Sequence, residues 1–411
     1  LIISIIIDII IEYGARVEIN QLPPNQIDII KQNLTIFERD YQTNEIVTLE
    51  YFLIKNNYIY FPFFYINDFC NNIKFNYGNK YDFQIFDKRD EGKSLSYNQL
   101  SPNFSYRKEE NQEYYVKESL KYEALIIKRP PGSGKTIIGS CIILMRNSRT
   151  LILCNQTELI KQWNKALKLV SDNNIKVSIN SFLKDNSTDY DVYISTVQGL
   201  LSYYSKHGLE NTIEYLDKYN IGQILFDECH LLIGPEKFSL ISYLFRSKYR
   251  IGLSATPVRD SDKSKLIINY WLGYNIIGKS DYKVIPTIKV VKFYSGLSKK
   301  NKYKDGKKLK NSYWYINWQR RDNKGKPIGY PKFFMDRYLK FLFKQEHFLN
   351  LIYQFVLKSI LKNRQILVIT HFNKDGVNKI YDYLIKQNID TNNMQKQNQL
   401  LYLIIRCYQL V

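Results

Sequence analysis

Two short runs in this chain carry side chains suited to chemistry on phosphates. The first, Pro130-Pro131-Gly132-Ser133-Gly134-Lys135-Thr136, sits between the apolar run 124–128 and an apolar helical pattern over 135–145. Glycines in such a place let backbone N–H groups wrap phosphate oxygens, and the start of a helix adds partial positive charge. Lys135 is then expected to reach β- and γ-phosphate oxygens, with the Thr136 hydroxyl on Mg²⁺. Pro131, Gly132, Ser133 and Gly134 complete the expected phosphate cradle. The general spacing asks for glycine five residues before Gly134, where this chain has Arg129.

The second run, Ile224-Leu225-Phe226-Asp227-Glu228-Cys229-His230, begins as a buried strand and ends in two carboxylates and an imidazole. Asp227 is expected to hold Mg²⁺ through its water shell, and Glu228 to orient and deprotonate an attacking water. That division suits phosphoryl transfer, where positioning and electrostatics dominate. A third run, Gly252-Leu253-Ser254-Ala255-Thr256-Pro257, closes another apolar stretch. The hydroxyls of Ser254 and Thr256 are expected to hydrogen-bond His230 and link the nucleotide site to what lies beyond it.

These residues need a scaffold that brings strand ends together. From about residue 106 the sequence alternates helix and strand: a charged helix over 107–121, strands over 124–128 and 150–154, and helices over 135–145 and 157–170. Further strands follow over 175–179, 191–195, 223–226 and 250–253. Such alternation specifies a mostly parallel sheet covered on both faces, with ligands at the carboxyl ends of its strands. Beyond residue 282 a second α/β pattern starts with a strand over 287–293. It continues with helices over 349–361 and 378–386 around a strand over 365–370. Residues 1–104 hold nine basic and thirteen acidic side chains, a net of −4. Their apolar-aromatic runs 46–53 and 58–65, with Asn56-Asn57 as the turn, read as strands of a small domain rich in β structure. Residues 91–105, with Gly92, Asn98, Pro102 and Asn103, read as a linker.

Composition narrows the class. The 411 residues are 45% hydrophobic and 24% charged, an ordinary globular balance with room for two to three domains. A net charge of +20 favours polyanion partners. Residues 299–344 concentrate it, with fifteen basic and three acidic side chains interleaved with Tyr303, Trp314, Trp318 and other rings. Basic grooves with aromatic platforms suit single strands. The five scattered cysteines form no CxxC pair and do not cluster with the four histidines. A disulfide scaffold and a zinc site are not expected, and an intracellular, reducing compartment is. The apolar run 1–11 carries Asp8 and is short for a bilayer span, so it is expected to be a buried first strand rather than a signal peptide.

GSGKT, DECH and SATP, in this order and spacing, closely resemble superfamily-two helicases of the DExH type. Residues 151–154 with Leu159-Ile160-Lys161-Gln162-Trp163 resemble motif Ia, and Ser195-Thr196-Val197-Gln198-Gly199-Leu200 resembles motif Ib. Gln112, 23 residues before Lys135, is similar to the family's adenine-reading glutamine. Tyr249-Arg250-Ile251-Gly252-Leu253-Ser254-Ala255-Thr256-Pro257-Val258-Arg259-Asp260 is most similar to the XPB-like branch, which shares its ATP-binding domain type with restriction and UvrB-like helicases. Some members of that branch come from large DNA viruses, for which a host-cell replication site or the virion would be the expected location. Ile366-Leu367-Val368-Ile369-Thr370-His371 resembles motif IV.

The resemblance implies an α/β fold: a RecA-like parallel-sheet ATPase domain over 105–282, a partial second RecA-like domain with the basic aromatic insert over 283–411, and an accessory N-terminal domain over 1–104. It implies ATP and Mg²⁺ as cofactors, nucleic acid as partner with DNA favoured over RNA, transcription or repair machinery as further partners, and no membrane. The expected activity is ATP-dependent helicase or translocase. One alternative is a restriction-type or termination-type module that translocates without strand separation. Another is a nucleotide-gated nucleic-acid-binding protein without unwinding activity. The family's QxxGRxxR-type motif is not found after Thr391, so the second domain is expected to be truncated.

Overall fold

The computed structural model describes residues 4–39, 46–73, 75–76, 79–179, 187–232, 240–257, 262–279, 342–361 and 378–387. It also describes positions 340 and 376 and short pieces at 303–304, 307–308, 315–316, 332–333, 366–367 and 401–402. The chain forms two compact units, Leu1–Ile285 and Pro286–Val411.

The first unit opens with β1 (Ser4–Ile11), β2 (Ala15–Glu18), α1 (Gln26–Asn33), β3 (Thr35–Arg39), β4 (Ile46–Glu50), β5 (Leu53–Lys55), β6 (Tyr58–Phe61), α2 (Ile66–Ile73), β7 (Phe75–Asn76) and β8 (Asn79–Asp87). Six of these strands form one sheet in the order β5-β6-β2-β1-β8-β7, while β3 and β4 pair as a separate hairpin. The run expected as one strand over 46–53 is broken. Tyr51, fully buried, donates its N–H to Leu34 O at 2.9 Å, which carries the chain from the hairpin to the larger sheet. Asn56 and Asn57 make the turn as expected. Both have positive φ, at 49° and 63°, the combination a two-residue hairpin needs. β1 alternates buried Ile7, Ile9 and Ile11 with the less buried Ile6, Asp8 and Ile10, the period of a half-buried strand.

Residues 88–107 are irregular but firmly held, unlike a free linker. Arg149 N donates to Lys93 O at 2.7 Å, Ser101 N to Val170 O at 2.7 Å, and Ser96 Oγ to Asp191 Oδ2 at 2.5 Å. Then come α3 (Gln112–Ser119), β9 (Ala124–Lys128), α4 (Lys135–Arg146), β10 (Thr150–Cys154), α5 (Thr157–Val170), β11 (Val177–Ile179), β12 (Val192–Thr196) and α6 (Val197–Asp217). The series continues with β13 (Gln223–Asp227), α7 (Cys229–Leu232), β14 (Tyr249–Ser254), α8 (Asp262–Leu272) and β15 (Ile276–Ile277).

These seven strands form an all-parallel sheet in the order β11-β12-β10-β13-β14-β9-β15. Both faces are covered, so the strands are apolar on both sides. Leu125, Ile127, Leu225, Ile251 and Leu253 face one buried cluster with α4 and α5. Ile126, Ile224 and Phe226 face another, continuous with the core of the first sheet. Strand order decides the chemistry: β14 lies between β9 and β13, so the ends carrying Lys128, Ser254 and Asp227 are neighbours.

In the second unit the described residues form α9 (Glu346–Ile360) and α10 (Lys379–Lys386) around buried Phe343, Val356, Ile380 and Leu384. Most of the basic aromatic insert 299–344, the expected strand 287–293, residues 368–371 of the motif-IV-like run and all but 401–402 of the segment after Thr391 lie outside the described residues.

Candidate nucleotide site

The loop 129–134 turns from β9 into α4 with two glycines in the left-handed region, Gly132 at φ 78° and Gly134 at φ 80°. Gly134 also packs closely against Gln112. A Cβ there would lie 2.1 Å from Gln112 Nε2. Gln112 is only 2% exposed, and its Oε1 accepts from Arg107 N at 2.9 Å. It therefore props the loop from behind rather than lining the open cleft. Ser133 is buried, and its hydroxyl donates to Pro130 O at 2.8 Å. Arg129, standing where the general spacing has glycine, is engaged elsewhere. Its Nη2 reaches Glu110 Oε2 at 2.6 Å, and its guanidinium lies 4.7 Å from the Tyr115 ring centroid.

Lys135 and Thr136 open α4. Lys135 Nζ donates to Arg129 O at 3.1 Å and lies 3.9 Å from Glu228 Oε1. Its ammonium is thus held over the loop within reach of the second run. Thr136 Oγ1 accepts from Gln162 Nε2 at 3.4 Å.

Asp227 ends β13 and is 7% exposed. Burial pushes its carboxyl up to about 6, and the charge on Glu228 adds to that. Opposing it are the hydrogen bond from Trp163 and the charge of Lys135. Trp163 Nε1 donates to Asp227 Oδ2 at 2.8 Å. Glu228 follows with φ at 52°, an uncommon backbone state for a side-chain-bearing residue that turns its carboxylate away from the strand line. Its side chain is about a third exposed, at the mouth of the cleft.

The third run meets the second as its spacing suggested. Ser254 Oγ lies 2.8 Å from His230 Nδ1, and Thr256 N donates to Ser254 Oγ at 3.0 Å. His230 Nδ1 also stands 3.6 Å from Glu228 Oε2. Ser254 thus makes the side-chain link, while Thr256 is exposed and contributes its backbone N–H. Alternation along β14 puts Arg250, Gly252 and Ser254 on one face. At Gly252 a Cβ would lie 2.5 Å from Leu272 Cδ1 and 3.0 Å from Cys229 Sγ, so glycine lets α7 and α8 close on the strand.

Pro131, Gly132, Gly134, Lys135, Thr136, Asp227 and Glu228 line one cleft of about 510 Å³, closed on its far side by α5. An ammonium, loop N–H groups and a helix start with its hydroxyl on one wall, and carboxylates on the other, can hold a polyphosphate. Thr136 and Asp227 supply hard oxygen donors on facing elements, the donor chemistry Mg²⁺ takes. Gln162 and Trp163 belong to the run that resembles motif Ia, but the sequence assigned them no contact in the site; they touch Thr136 and Asp227. A tryptophan on the inner face of an amphipathic helix reads as core, and only its distant partner shows otherwise.

Residues 97–259 match the family described as type III restriction enzyme, res subunit. Among curated proteins, the chain is 30% identical over 207 residues to the DNA 3'-5' translocase XPB2 of Sulfurisphaera tokodaii, covering 48% of this chain and 43% of that protein. It is 30% identical over 138 residues to the DNA 3'-5' helicase XPB of Mycobacterium tuberculosis, covering 34% and 24%. The chain thus spans less than half the length of these relatives. Among solved structures it is similar to the UvsW helicase of bacteriophage T4, with a TM-score of 0.45 at 19% identity, covering 66% of this chain and 99% of that one.

Proposed function

We infer that this chain, whose residues 97–259 match the type III restriction enzyme res-subunit family, is an ATP-driven motor on nucleic acid of the superfamily-two, XPB-like kind. One observation carries this reading: Lys135, Thr136, Asp227 and Glu228 line a single cleft, and His230 ties that cleft to Ser254 on the strand between them. DNA is the favoured track, with 3'-to-5' movement, because the relatives are named for that polarity on DNA. The net charge of +20 favours a polyanion of either kind. Transcription or repair machinery is the favoured partner, and the relatives called general transcription and DNA repair factor IIH helicase/translocase subunit XPB support it.

The residues divide the work. Loop N–H groups and the Lys135 ammonium hold the β- and γ-phosphates and neutralise charge that grows during transfer. Thr136 and Asp227 would hold Mg²⁺, which when bound supplies charge stabilisation at the transferring phosphoryl group. Glu228 orients the attacking water and accepts its proton. His230, beside both Glu228 and Ser254, passes the state of the site to β14.

The test is hydrolysis of Mg²⁺-ATP with and without DNA or RNA, alongside strand displacement on duplexes. DNA-stimulated hydrolysis with displacement fits a helicase, and stimulated hydrolysis without displacement fits a translocase. Nucleic-acid binding that responds to nucleotide with no hydrolysis would replace both with a nucleotide-gated binding protein. Absence of nucleotide binding would overturn the site.

A further inference from the structure

We propose that the consecutive pair Gln162-Trp163 on α5 positions both metal-binding oxygens of the site, Trp163 holding Asp227 and Gln162 holding Thr136. The proposal rests on the reading that Thr136 and Asp227 take Mg²⁺.

Those two oxygens come from different elements, the end of β13 and the start of α4. Mg²⁺ demands near-octahedral geometry of the oxygens and waters around it, so small errors in placing the groups that hold it weaken it. A buried carboxylate with no fixed partner could rotate among several orientations. Trp163 removes that freedom. Its Nε1 donates to Asp227 Oδ2 at 2.8 Å, and indole N–H is a donor only, so it fixes one carboxylate oxygen and leaves Oδ1 for other contacts. The ring itself cannot turn. It is fully buried, and a Cβ on Gly139 of α4 would lie 2.6 Å from its Cη2. The glycine in the middle of α4 is the space that the indole occupies.

The preceding residue faces the other way. Successive helix positions differ by about 100°, which turns Gln162 out into the cleft while Trp163 points in. Gln162 lines the cleft and donates to Thr136 Oγ1 at 3.4 Å, a long hydrogen bond. One turn of α5 therefore touches both metal-binding residues, and a displacement of α5 would be felt at both.

Partners that orient metal ligands typically contribute roughly 10–100-fold in metal affinity or activity. The test reads metal dependence rather than turnover. Affinity of the full chain for a fluorescent N-methylanthraniloyl-ADP is measured with Mg²⁺ and with EDTA, and the ratio reports what the metal adds. Trp163→Phe keeps a ring and removes the N–H. It should lower the ratio about tenfold and leave the EDTA affinity unchanged. In an Asp227→Asn background the same change should have no further effect on the ratio. A purely structural tryptophan would lower stability in both backgrounds and leave the ratio alone.

Gln162→Ala, at an exposed position, should fold normally and lower the ratio by about twofold, the low end for a lost hydrogen bond. An unchanged ratio for Trp163→Phe overturns the proposal. If that variant does not fold, an unchanged ratio for Gln162→Ala overturns it. No nucleotide binding by the parent chain in either condition would instead sink the reading of the site itself.

Discussion

The Arg250 guanidinium lies 4.1 Å from the Phe63 ring centroid, joining the middle of β14 to the turn that follows β6. Arg250 is fully buried, and its Nη2 donates to Phe245 O at 2.7 Å and Ser242 O at 3.2 Å. Phe63 also meets Trp271 edge-on at 5.7 Å, and Trp271 meets Tyr243 at 4.5 Å. Two hydrogen bonds complete the seam, Tyr243 Oη to Tyr51 O at 2.9 Å and Tyr270 Oη to Asp68 Oδ2 at 2.6 Å. The first sheet is thus packed onto the same face of β14 that carries Ser254.

Phe63→Ala should therefore cost about 3–5 kcal/mol, the usual range for a buried phenylalanine, because it opens a cavity under a buried cation. Urea denaturation checks this. A loss below about 0.5 kcal/mol, the size of an ordinary surface change, would mean that the two sheets are held by other contacts.

Lys135→Ala should abolish tight nucleotide binding with the fold intact, since the ammonium reaches a loop carbonyl and Glu228 rather than packing in a core. Circular dichroism and nucleotide titration together check it. Unchanged affinity would exclude the loop as the phosphate cradle.

Glu228→Gln should bind ATP and turn it over slowly, by roughly 10²–10⁴-fold, the usual loss on removing a general base. Asp227 keeps its buried place and its Trp163 partner in that variant. Single-turnover hydrolysis is the measurement, and a parental rate would assign the proton to another acceptor.

Much of this site was legible in sequence, for reasons that particular residues show. Strands buried on both faces make unbroken apolar runs, so β9 and β10 were bounded correctly, and α5 kept its 14-residue amphipathic pattern. The loop and the strand-end carboxylates follow from local spacing alone. Other features depend on partners far away in sequence. β8 lies parallel to β1, pairing Ser4 with Lys80, and nothing in either strand names its neighbour. Residues 88–107 carry turn-forming residues and still lie pinned along the parallel sheet by hydrogen bonds to Arg149, Val170 and Asp191. Phe63–Tyr65, expected as strand, forms a short 3-10 turn because it inserts into the aromatic seam. The Trp163–Asp227 bond spans 64 residues and is invisible to any local pattern.

Ser254→Ala removes the 2.8 Å contact to His230 while leaving every phosphate-binding group in place. Basal hydrolysis should stay within about twofold, and stimulation by nucleic acid should fall by about tenfold, one hydrogen bond to a charged or polarised group being worth roughly 1.5 kcal/mol. Comparing rates with and without DNA checks it. Equal losses in both would place Ser254 in the chemical step rather than in coupling.

Asp227→Asn tests burial of the carboxylate through pH. In the folded chain burial raises Asp227 to about 6, against 3.8 for its ordinary value. The protonated form is thus favoured in the fold, so this residue's stabilising contribution is complete below about pH 4 and is lost as pH rises through 6. Above that the ionised, buried carboxylate costs up to about 3 kcal/mol, at 1.36 kcal/mol per pH unit. Asparagine keeps an acceptor for the Trp163 N–H and carries no charge. In the absence of nucleotide and metal, Asp227→Asn should therefore match the parent chain near pH 4, gain stability over it between pH 4 and 6, and hold a constant advantage at higher pH. Urea midpoints of both proteins across that range decide the point. A difference independent of pH would show that the carboxylate is solvated in the folded chain, and that its ionisation costs the fold nothing.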